Sequence, residues 1–427
     1  MFRFIDLFAG IGGIRKGFEL ACEERGIETK CVFTSEIKPH AIDILTQNHP
    51  TETIHGDITQ IEACDIPDFD VLLGGFPCQA FSAAGKRLGF EDTRGTLFFD
   101  VARIIKEKQP KGFILENVEG LVNHDRVNPK DPIGRTLQTI LTTLTDDLGY
   151  HVSWKVLNAK DFGVPQDRKR IYIVGSRTAA PDLDSFIPRE AKLEDILETG
   201  LELSKHPFIE LVLSHYEIEE LYGKSIKDKR GGDNNIHSWD IDYKGKISKE
   251  EKKLMNILLK ERRKKKWAEE YGIDWMDGMP LTKEMITTFY ESDNLDTMLA
   301  DLVEKGYLKM EHPKRKITTS GGGSMRVQDP ELPIGYNIVA GKMSFEISKI
   351  LDPKGIAPTL VAMDMAHLYV VDGKGLRKLS LREGLRLFGY PDYYKFNTSI
   401  EEGYDLLGNT VVVPVIKSVA EQLINVI

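Results

Sequence analysis

The stretch from 70 to 79, Asp-Val-Leu-Leu-Gly-Gly-Phe-Pro-Cys-Gln, constrains the fold of this chain more than any other. A short apolar run between an acid and two glycines reads as a strand buried on both faces, and such strands belong to mostly parallel sheets covered by helices on each side. Gly74-Gly75 stop the strand, so Cys78 emerges where it meets its loop. In an open sheet of this kind that edge is where ligands bind. A free thiol with a pKa of about 8.5 is only a few per cent thiolate at neutral pH, yet that thiolate is a strong nucleophile toward a substrate held against it. A cysteine taken at random is more often an inert core residue. Here Pro77 stiffens the approach and removes a backbone donor, and Gln79, Phe81 and Ser82 are polar and aromatic neighbours unlike the filling of a core.

Around this strand the order of elements is that of an α/β protein. Residues 2–6 predict a first strand, Leu7-Phe8-Ala9-Gly10-Ile11-Gly12-Gly13 a glycine-rich turn, and 14–24 a helix. Glycines between a first strand and a first helix let a cofactor approach the backbone and the helix N-terminus. The spacing is GxGG rather than GxGxxG, so the turn alone does not name the cofactor. A second strand, 31–35, ends at Glu36, where a carboxylate is placed to accept hydrogen bonds from ribose hydroxyls. Asp57 closes a short strand from Ile54 and stands where an acid reaches an adenine amine. Residues 111–118, Lys-Gly-Phe-Ile-Leu-Glu-Asn-Val, repeat the arrangement at Cys78 and deliver Glu116 to the same edge. A carboxyl beside apolar groups has a raised proton affinity and acts as an acid near neutrality. Arg168 and Arg170 alternate on an extended segment and so point the same way. The glycines and cations of 83–96 have the composition of a lid over phosphate.

A chain of 427 residues suggests two or three domains. Its 41% hydrophobic fraction is that of an ordinary globular protein, and no run approaches the roughly 18 apolar residues of a membrane span. The N-terminus lacks the pattern of a signal peptide, so a cytoplasmic location is expected. Cys22, Cys31, Cys64 and Cys78 show no CxxC spacing, which argues against a structural metal or a disulfide framework. A net charge of -9 disfavours a polyanionic partner until its distribution is considered: between Lys224 and Lys266, fifteen Lys or Arg stand against seven Asp or Glu. A basic face on an acidic body suits nucleic acid. From about 178 to 333 the strand–helix alternation is lost. Residues 247–267 predict one basic helix, and 282–290, 295–305 and 306–310 resemble the helix, helix and wing strand of a winged helix-turn-helix, although an ordinary helical insertion fits nearly as well. Residues 318–326 read as a flexible, donor-rich loop, and 406–423 as the opening and body of a final helix.

In order and spacing these motifs resemble the cytosine-5 DNA methyltransferases of bacterial restriction-modification systems: the Asp6 to Gly13 turn, Gly75-Phe76-Pro77-Cys78-Gln79, Glu116-Asn117-Val118, Gln166-Asp167-Arg168-Lys169-Arg170, Arg382-Glu383 and Gly408-Asn409. The likeness covers 1 to about 177 and about 335 to 427. It leaves 180–330, in that family the variable target-recognition region, unmatched and unusually long. The resemblance implies a Rossmann-like, S-adenosylmethionine-dependent methyltransferase domain with a mostly parallel sheet at 1–179 and 404–427. A smaller target-recognition domain is implied at 180–403, with a basic helical insertion of winged-helix likeness at about 240–312. It further implies that a cytosine is flipped out of duplex DNA, that Cys78 adds to its carbon 6, that Glu116 protonates ring nitrogen 3, and that Arg168 and Arg170 clamp the base oxygen, the phosphate and the active-site carboxylate. By the same matching Phe8 stacks on the adenine of the cofactor, Gly10 and Gly12 admit its methionine part, and Glu36 holds its ribose. Ile37, Asp57 and Ile58 frame the adenine, while Pro77, Leu97 and Asn409 complete the pocket. Double-stranded DNA is the implied partner of a monomer, with a restriction endonuclease acting on the same site without a stable complex. Three other readings compete. Methylation of tRNA belongs to a compact branch of the fold without the long basic insertion. A DNA-binding regulator with a vestigial body leaves the cysteine, glutamate and arginines unexplained, and a nicotinamide dehydrogenase leaves Cys78 and 166–170 without a role.

Overall fold

The computed structural model describes residues 1–77, 97–128, 130–229, 232, 234–318, 324–339, 345–362 and 364–427. Contacts divide them into two compact units, one of Met1–Glu198, Asp352–Ala366 and Leu379–Ile427, the other of Thr199–Leu351 and His367–Lys378. The expected division differs from this in three places. Residues 180–198, 352–366 and 379–403, expected in the second domain, pack with the first unit, because the backbone at Gln166 bridges to Ala357 and the Tyr394 hydroxyl donates to the Ile11 carbonyl at 2.5 Å.

The first unit begins with β1 (Phe2–Leu7), α1 (Gly13–Glu24), β2 (Thr29–Ser35), α2 (Pro39–Asn48), β3 (Ile54–His55) and β4 (Val71–Gly74), and continues with α3 (Leu97–Lys108), β5 (Gly112–Val118), α4 (Arg135–Thr142), β6 (His151–Asn158) and β7 (Lys169–Ser176). The strands form one sheet in the order β3-β2-β1-β4-β5-β7-β6. The first five run parallel, while β7 is antiparallel to both β5 and β6. The apolar runs explain this layering: Phe4, Ile5, Val71, Leu72, Leu73, Phe113, Ile114 and Leu115 are all fully buried, which requires cover on both faces. Ile5, Leu72, Phe113 and Leu115 share a core with Phe98, Val101 and Ile105 of α3 and Leu137 and Ile140 of α4. Successive strand residues point to opposite faces, and Phe4, next to Ile5, meets Phe18 of α1 edge-on with ring centroids 5.3 Å apart.

The second unit contains α5 (Pro207–Leu213), β8 (Ser225–Ile226), β9 (Asn235–Ile236), α6 (Lys249–Glu261), α7 (Lys266–Tyr271), α8 (Lys283–Thr287), α9 (Leu295–Glu304), β10 (Leu308–Glu311), β11 (Lys314–Thr318), β12 (Ser324–Gln328), β13 (Gly335–Ile338), β14 (Lys349–Ile350), β15 (Leu368–Asp372) and β16 (Gly375–Lys378). Five of these strands form a sheet in the order β16-β15-β14-β8-β9. α5 shares a core with this sheet through Phe208, Ile209 and Val212, and the other elements belong to a module whose core joins Leu254 and Leu258 of α6, Trp267 of α7, Ile286 of α8 and Leu299 and Leu302 of α9. In this module β13 pairs with β10, and at Tyr336 it also bridges to Leu281, which lies between α7 and α8. β11 and β12 make an antiparallel hairpin. Helix, bridge residue, two helices, strand, hairpin and returning strand is the chain order that 282–310 resembled in part.

Two expectations are corrected here. The basic helix expected over 247–267 is broken between α6 and α7, where five consecutive cations, Arg262 to Lys266, would crowd like charges along one helix. The indole of Trp267 instead donates to the Glu261 carbonyl at 2.9 Å and so satisfies the end of α6. Residues 324–326, expected in a flexible loop, lie in β12; residues 319–323 are outside the described residues.

The chain ends in the first unit with α10 (Leu381–Leu387), α11 (Ile400–Asn409) and α12 (Val413–Ile424). The single final helix expected over 406–423 is thus two, because Pro414 sits in the first turn of α12 and a continuous helix would lose a hydrogen bond there and clash one turn back. α12 packs on α1 so closely that a Cβ built at Gly17 lies 2.5 Å from Ile416 Cβ. Among the described residues no helix is long and apolar enough to cross a membrane.

Candidate active site

The parallel register aligns the strand ends. Leu7 pairs with both Ser35 and Gly74, and Gly74 pairs with Leu115, so Phe8, Glu36 and Gly75 leave the sheet along one edge, and Glu116 stands at the same level on β5, which runs on two residues further paired with β7. The turn after β1 is tightly wound: Phe8 and Gly10 both have φ 55° and Gly12 has φ 75°. A phenylalanine in the left-handed region is strained by about 1–2 kcal/mol, a conformation that persists only where its surroundings enforce it. Here the Ala9 N–H donates to the Ser35 carbonyl at 3.1 Å, and the Gly12 N–H to the Ala9 carbonyl at 2.8 Å. Glu36 ties the next strand end to this turn. Its Oε2 accepts the Gly10 N–H at 2.6 Å, and its Oε1 accepts the N–H groups of Ile37 and Lys38, each at 2.8 Å. Asp57 caps the short turn that begins at Ile58, accepting the Thr59 N–H at 3.0 Å.

At the end of β5 two side chains have distinct partners. Glu116 faces Arg170, with Oε1 3.2 Å from Nε, both side chains being largely buried. Burial lifts the Glu116 carboxyl above its usual range, and the charges of Arg170 and then Arg168 pull it back. Asn117, buried, donates from Nδ2 to the Phe76 carbonyl at 2.8 Å and accepts the Val118 N–H on Oδ1 at 2.8 Å. This fastens the loop after β4 to the end of β5, two residues ahead of Cys78. Cys78 itself, Gln79 and the expected lid at 83–96 lie outside the described residues.

Arg168 and Arg170 are both brought to this place, but they are used differently. The buried Arg168 donates from Nη1 to the Leu360 carbonyl at 2.7 Å and from Nη2 to the carbonyls of Thr410 at 2.8 Å and Gly408 at 3.2 Å. The break between α11 and α12 leaves those last carbonyls open, so a helix stop far along the chain gives Arg168 its acceptors. Thr359 and Leu360 are bound into the same segment: the Thr359 hydroxyl donates to the Asp167 carbonyl at 2.6 Å.

These elements enclose a cavity of about 600 Å³, within the range of small-molecule and cofactor sites. Phe8, Gly10, Glu36, Ile37, Asp57 and Ile58 line one part; Pro77, Leu97, Glu116, Arg168, Arg170 and Asn409 line the rest. Of the described candidates only Gly12 is absent from the wall, where it shapes the turn behind. The fit to S-adenosylmethionine rests on two features of this wall. A Cβ built at Gly10 would meet nothing within 4 Å, so bare backbone opens on the space, and the Glu36 carboxylate borders it beside the Phe8 ring.

Sequence reasoning missed two residues. Asn117 was quoted only as part of a motif, yet its burial beside a catalytic candidate makes it the anchor of the loop. Asp6 is fully buried on β1, and among the described residues neither carboxylate oxygen has a hydrogen-bond partner. Burial pushes its pKa up to about 8, opposed by the charge of Arg15. A carboxylate inside an otherwise apolar strand was the available signal.

A profile of the C-5 cytosine-specific DNA methylases matches residues 2–425. The chain belongs to this family. It is accordingly an enzyme that transfers the methyl group of S-adenosylmethionine to carbon 5 of cytosine in DNA. Among curated relatives, the Type II methyltransferase M.NlaIV of Neisseria lactamica is 65% identical over 423 residues, covering 99% of each chain. The Type II methyltransferase M.NgoBV of Neisseria gonorrhoeae is 63% identical over 423 residues with the same coverage. In fold, the chain is similar to the Dnmt2 methyltransferase of S. pombe, with a TM-score of 0.55 at 16% identity over 100% of this chain and 99% of the other. The mostly parallel sheet is thus that of a Rossmann-like methyltransferase.

Proposed function

We propose that this chain is the modification enzyme of a Type II restriction-modification system, methylating one cytosine in a specific duplex sequence through Cys78. The convergence of Phe8, Glu36, Glu116 and Arg170 on one cavity is the observation that carries the reading. Cytosine carbon 5 is a poor nucleophile. Addition of the Cys78 thiolate to carbon 6, with a proton passing from Glu116 to ring nitrogen 3, places electron density on carbon 5. The cofactor, when bound, supplies an electrophilic methyl group. The carbon 5 proton then leaves to solvent, the sulfur–carbon 6 bond breaks, and Glu116 recovers its proton from nitrogen 3. Glu116 suits this task because burial favours its protonated form, while Arg170 at 3.2 Å keeps it able to ionise. In this reading Arg170 also holds the base oxygen, and Arg168 keeps the wall in shape through the carbonyls of Leu360, Gly408 and Thr410.

Cofactor contacts follow the cavity wall. Phe8 stacks on adenine, Gly10 and Gly12 leave room for the methionine part, and Glu36 accepts the ribose hydroxyls. Ile37, Asp57 and Ile58 border the adenine, with Pro77, Leu97 and Asn409 closing the pocket. The second unit supplies target recognition. The enzyme works as a cytoplasmic monomer on double-stranded DNA, protecting it from an endonuclease that reads the same site without forming a stable complex.

Bisulfite sequencing of DNA from cells expressing the protein tests this directly. Full methylation confined to one sequence context is expected, and its loss in Cys78→Ser. Methylation at scattered contexts, or an active Cys78→Ser, overturns the reading.

A further inference from the structure

The module built on α6 to α9 carries two surfaces of opposite sign. In the turn between α6 and α7, Lys264, Lys265 and Lys266 are exposed next to Arg263; Arg263 pairs with Asp277 at 2.7 Å and Lys264 with Glu261 at 2.5 Å, while Lys265 and Lys266 make no ion pair among the described residues. Trp275, 40% exposed, stands beside this turn, its indole N–H donating to the Arg263 carbonyl at 2.9 Å. Arg326 of β12 donates to the carbonyl of the same Trp275 at 2.8 Å and to that of Asp274 at 3.3 Å. The hairpin is therefore docked against the basic turn. Its register sets Lys316 opposite Arg326 and Lys314 opposite Gln328, so three cations share one face, and Ile317, Met325 and Val327 are exposed on the other. Cations with an apolar flank are the composition of elements that enter a DNA groove along its phosphates.

α9 is the second helix of the α8–α9 pair, the position that enters the major groove in helix-turn-helix proteins. Its chemistry is wrong for that. The apolar residues Leu295, Met298, Leu299 and Leu302 are buried, and the solvent side presents Asp296, Thr297, Ala300 and Glu304, after exposed Glu291 and Asp293. Nearby cations are already paired, Lys283 with Asp296 and Lys305 with Asp301, each at 2.6 Å. A helix so charged is repelled by a duplex that carries a phosphate charge about every 1.7 Å of its axis.

We propose that this module clamps duplex DNA by its phosphates, independently of sequence, through the Arg263–Lys266 turn, Trp275 and the β11–β12 hairpin, while α9 stays outside the groove. The inference rests on the DNA-methyltransferase reading and assigns the face of the second unit that meets the duplex. The test is fluorescence anisotropy of the full chain with a labelled duplex across a salt series, together with methyl-transfer kinetics. In Lys265→Gln/Lys266→Gln/Lys316→Gln, affinity should fall about tenfold or more at low salt, and the plot of log affinity against log salt should become shallower by about 2–3, at roughly 0.9 per phosphate contact. The loss should be equal on methylated-site and unrelated duplexes and should raise KM with kcat unchanged. Ala300→Trp, a bulky change on the exposed side of α9, should leave affinity and turnover at wild-type values. A triple variant with an unchanged salt slope overturns the inference, as does an Ala300→Trp protein that melts normally but binds tenfold more weakly. A wild-type protein that transfers no methyl to any duplex overturns the underlying reading as well, so the two failures are distinguishable.

Discussion

Replacing Asn117 by leucine keeps the side-chain volume and removes both of its hydrogen bonds. The Phe76 carbonyl, 2.8 Å from Asn117, would then be stranded in a site where Asn117 is 3% and Phe76 2% exposed, whereas Val118 is 40% exposed and its N–H can turn to water. A buried polar group left without a partner costs about 1–3 kcal/mol. β4 and β5 beneath are held by their neighbours on both sides, and the loss therefore falls mainly on the segment 75–77 that presents Cys78. With every ~1.4 kcal/mol worth a factor of ten in rate, methyl transfer should slow by at least about fivefold. Cofactor binding should weaken less than turnover, because Pro77 alone of the proposed cofactor contacts lies in the loosened segment, while the Phe8–Gly12 turn and Glu36 keep all their contacts. Steady-state methylation of duplex DNA, calorimetric titration with S-adenosylmethionine and thermal melting separate these effects. Asn117→Leu turning over within about twofold of wild type would refute the anchoring role.

Three further outcomes are expected. Arg170→Gln removes the charge that holds the Glu116 carboxyl down. Glu116 acts as an acid only below its pKa, so the alkaline limb of the pH–rate profile should move to higher pH while the maximal rate falls; a limb that stays in place contradicts the assignment. Asp6 has a folded-state pKa of about 8 against an ordinary 3.8, so the proton it retains stabilises the fold fully below about pH 4, and that stability is lost as pH rises through 8. Urea unfolding at pH 6 and 9 should show wild type losing stability, at up to ~1.4 kcal/mol per pH unit from this group, relative to a flatter Asp6→Asn. Gly17→Ala places a methyl 2.5 Å from Ile416 Cβ and should destabilise the α1–α12 contact by about 1–3 kcal/mol. Melting measurements check it.

What the sequence made legible follows from how local each signal is. The strands at 71–74 and 112–118 declare themselves by unbroken apolar runs, and the acids at 36, 57 and 116 by their place at strand ends, because a parallel sheet collects its carboxyl edge in one line. The helix breaks at Arg262 and at Thr410 were harder to read. One depends on charge crowding and the Trp267 indole, the other on Pro414 together with acceptors wanted by Arg168, some 240 residues away. Asn117 and the tethering of Thr359 and Leu360 to the 166–168 segment depend on pairings between distant residues, which periodicity does not encode. Net charge along 224–266 pointed to a basic insertion, but only the fold separates its basic turn and hairpin from the acidic α9.

The central claim is that Cys78 bonds to carbon 6 of the target cytosine while carbon 5 receives the methyl group. Duplex DNA in which every cytosine carries fluorine at carbon 5 tests it most directly, since the adduct forms but cannot lose fluorine as a cation and the sulfur–carbon bond persists. Incubation with this duplex and S-adenosylmethionine, followed by peptide mass spectrometry, should find methylated fluorocytosine joined to the peptide containing Cys78 and to no other. An adduct on a different residue, or none from protein that methylates ordinary cytosine, would contradict the account.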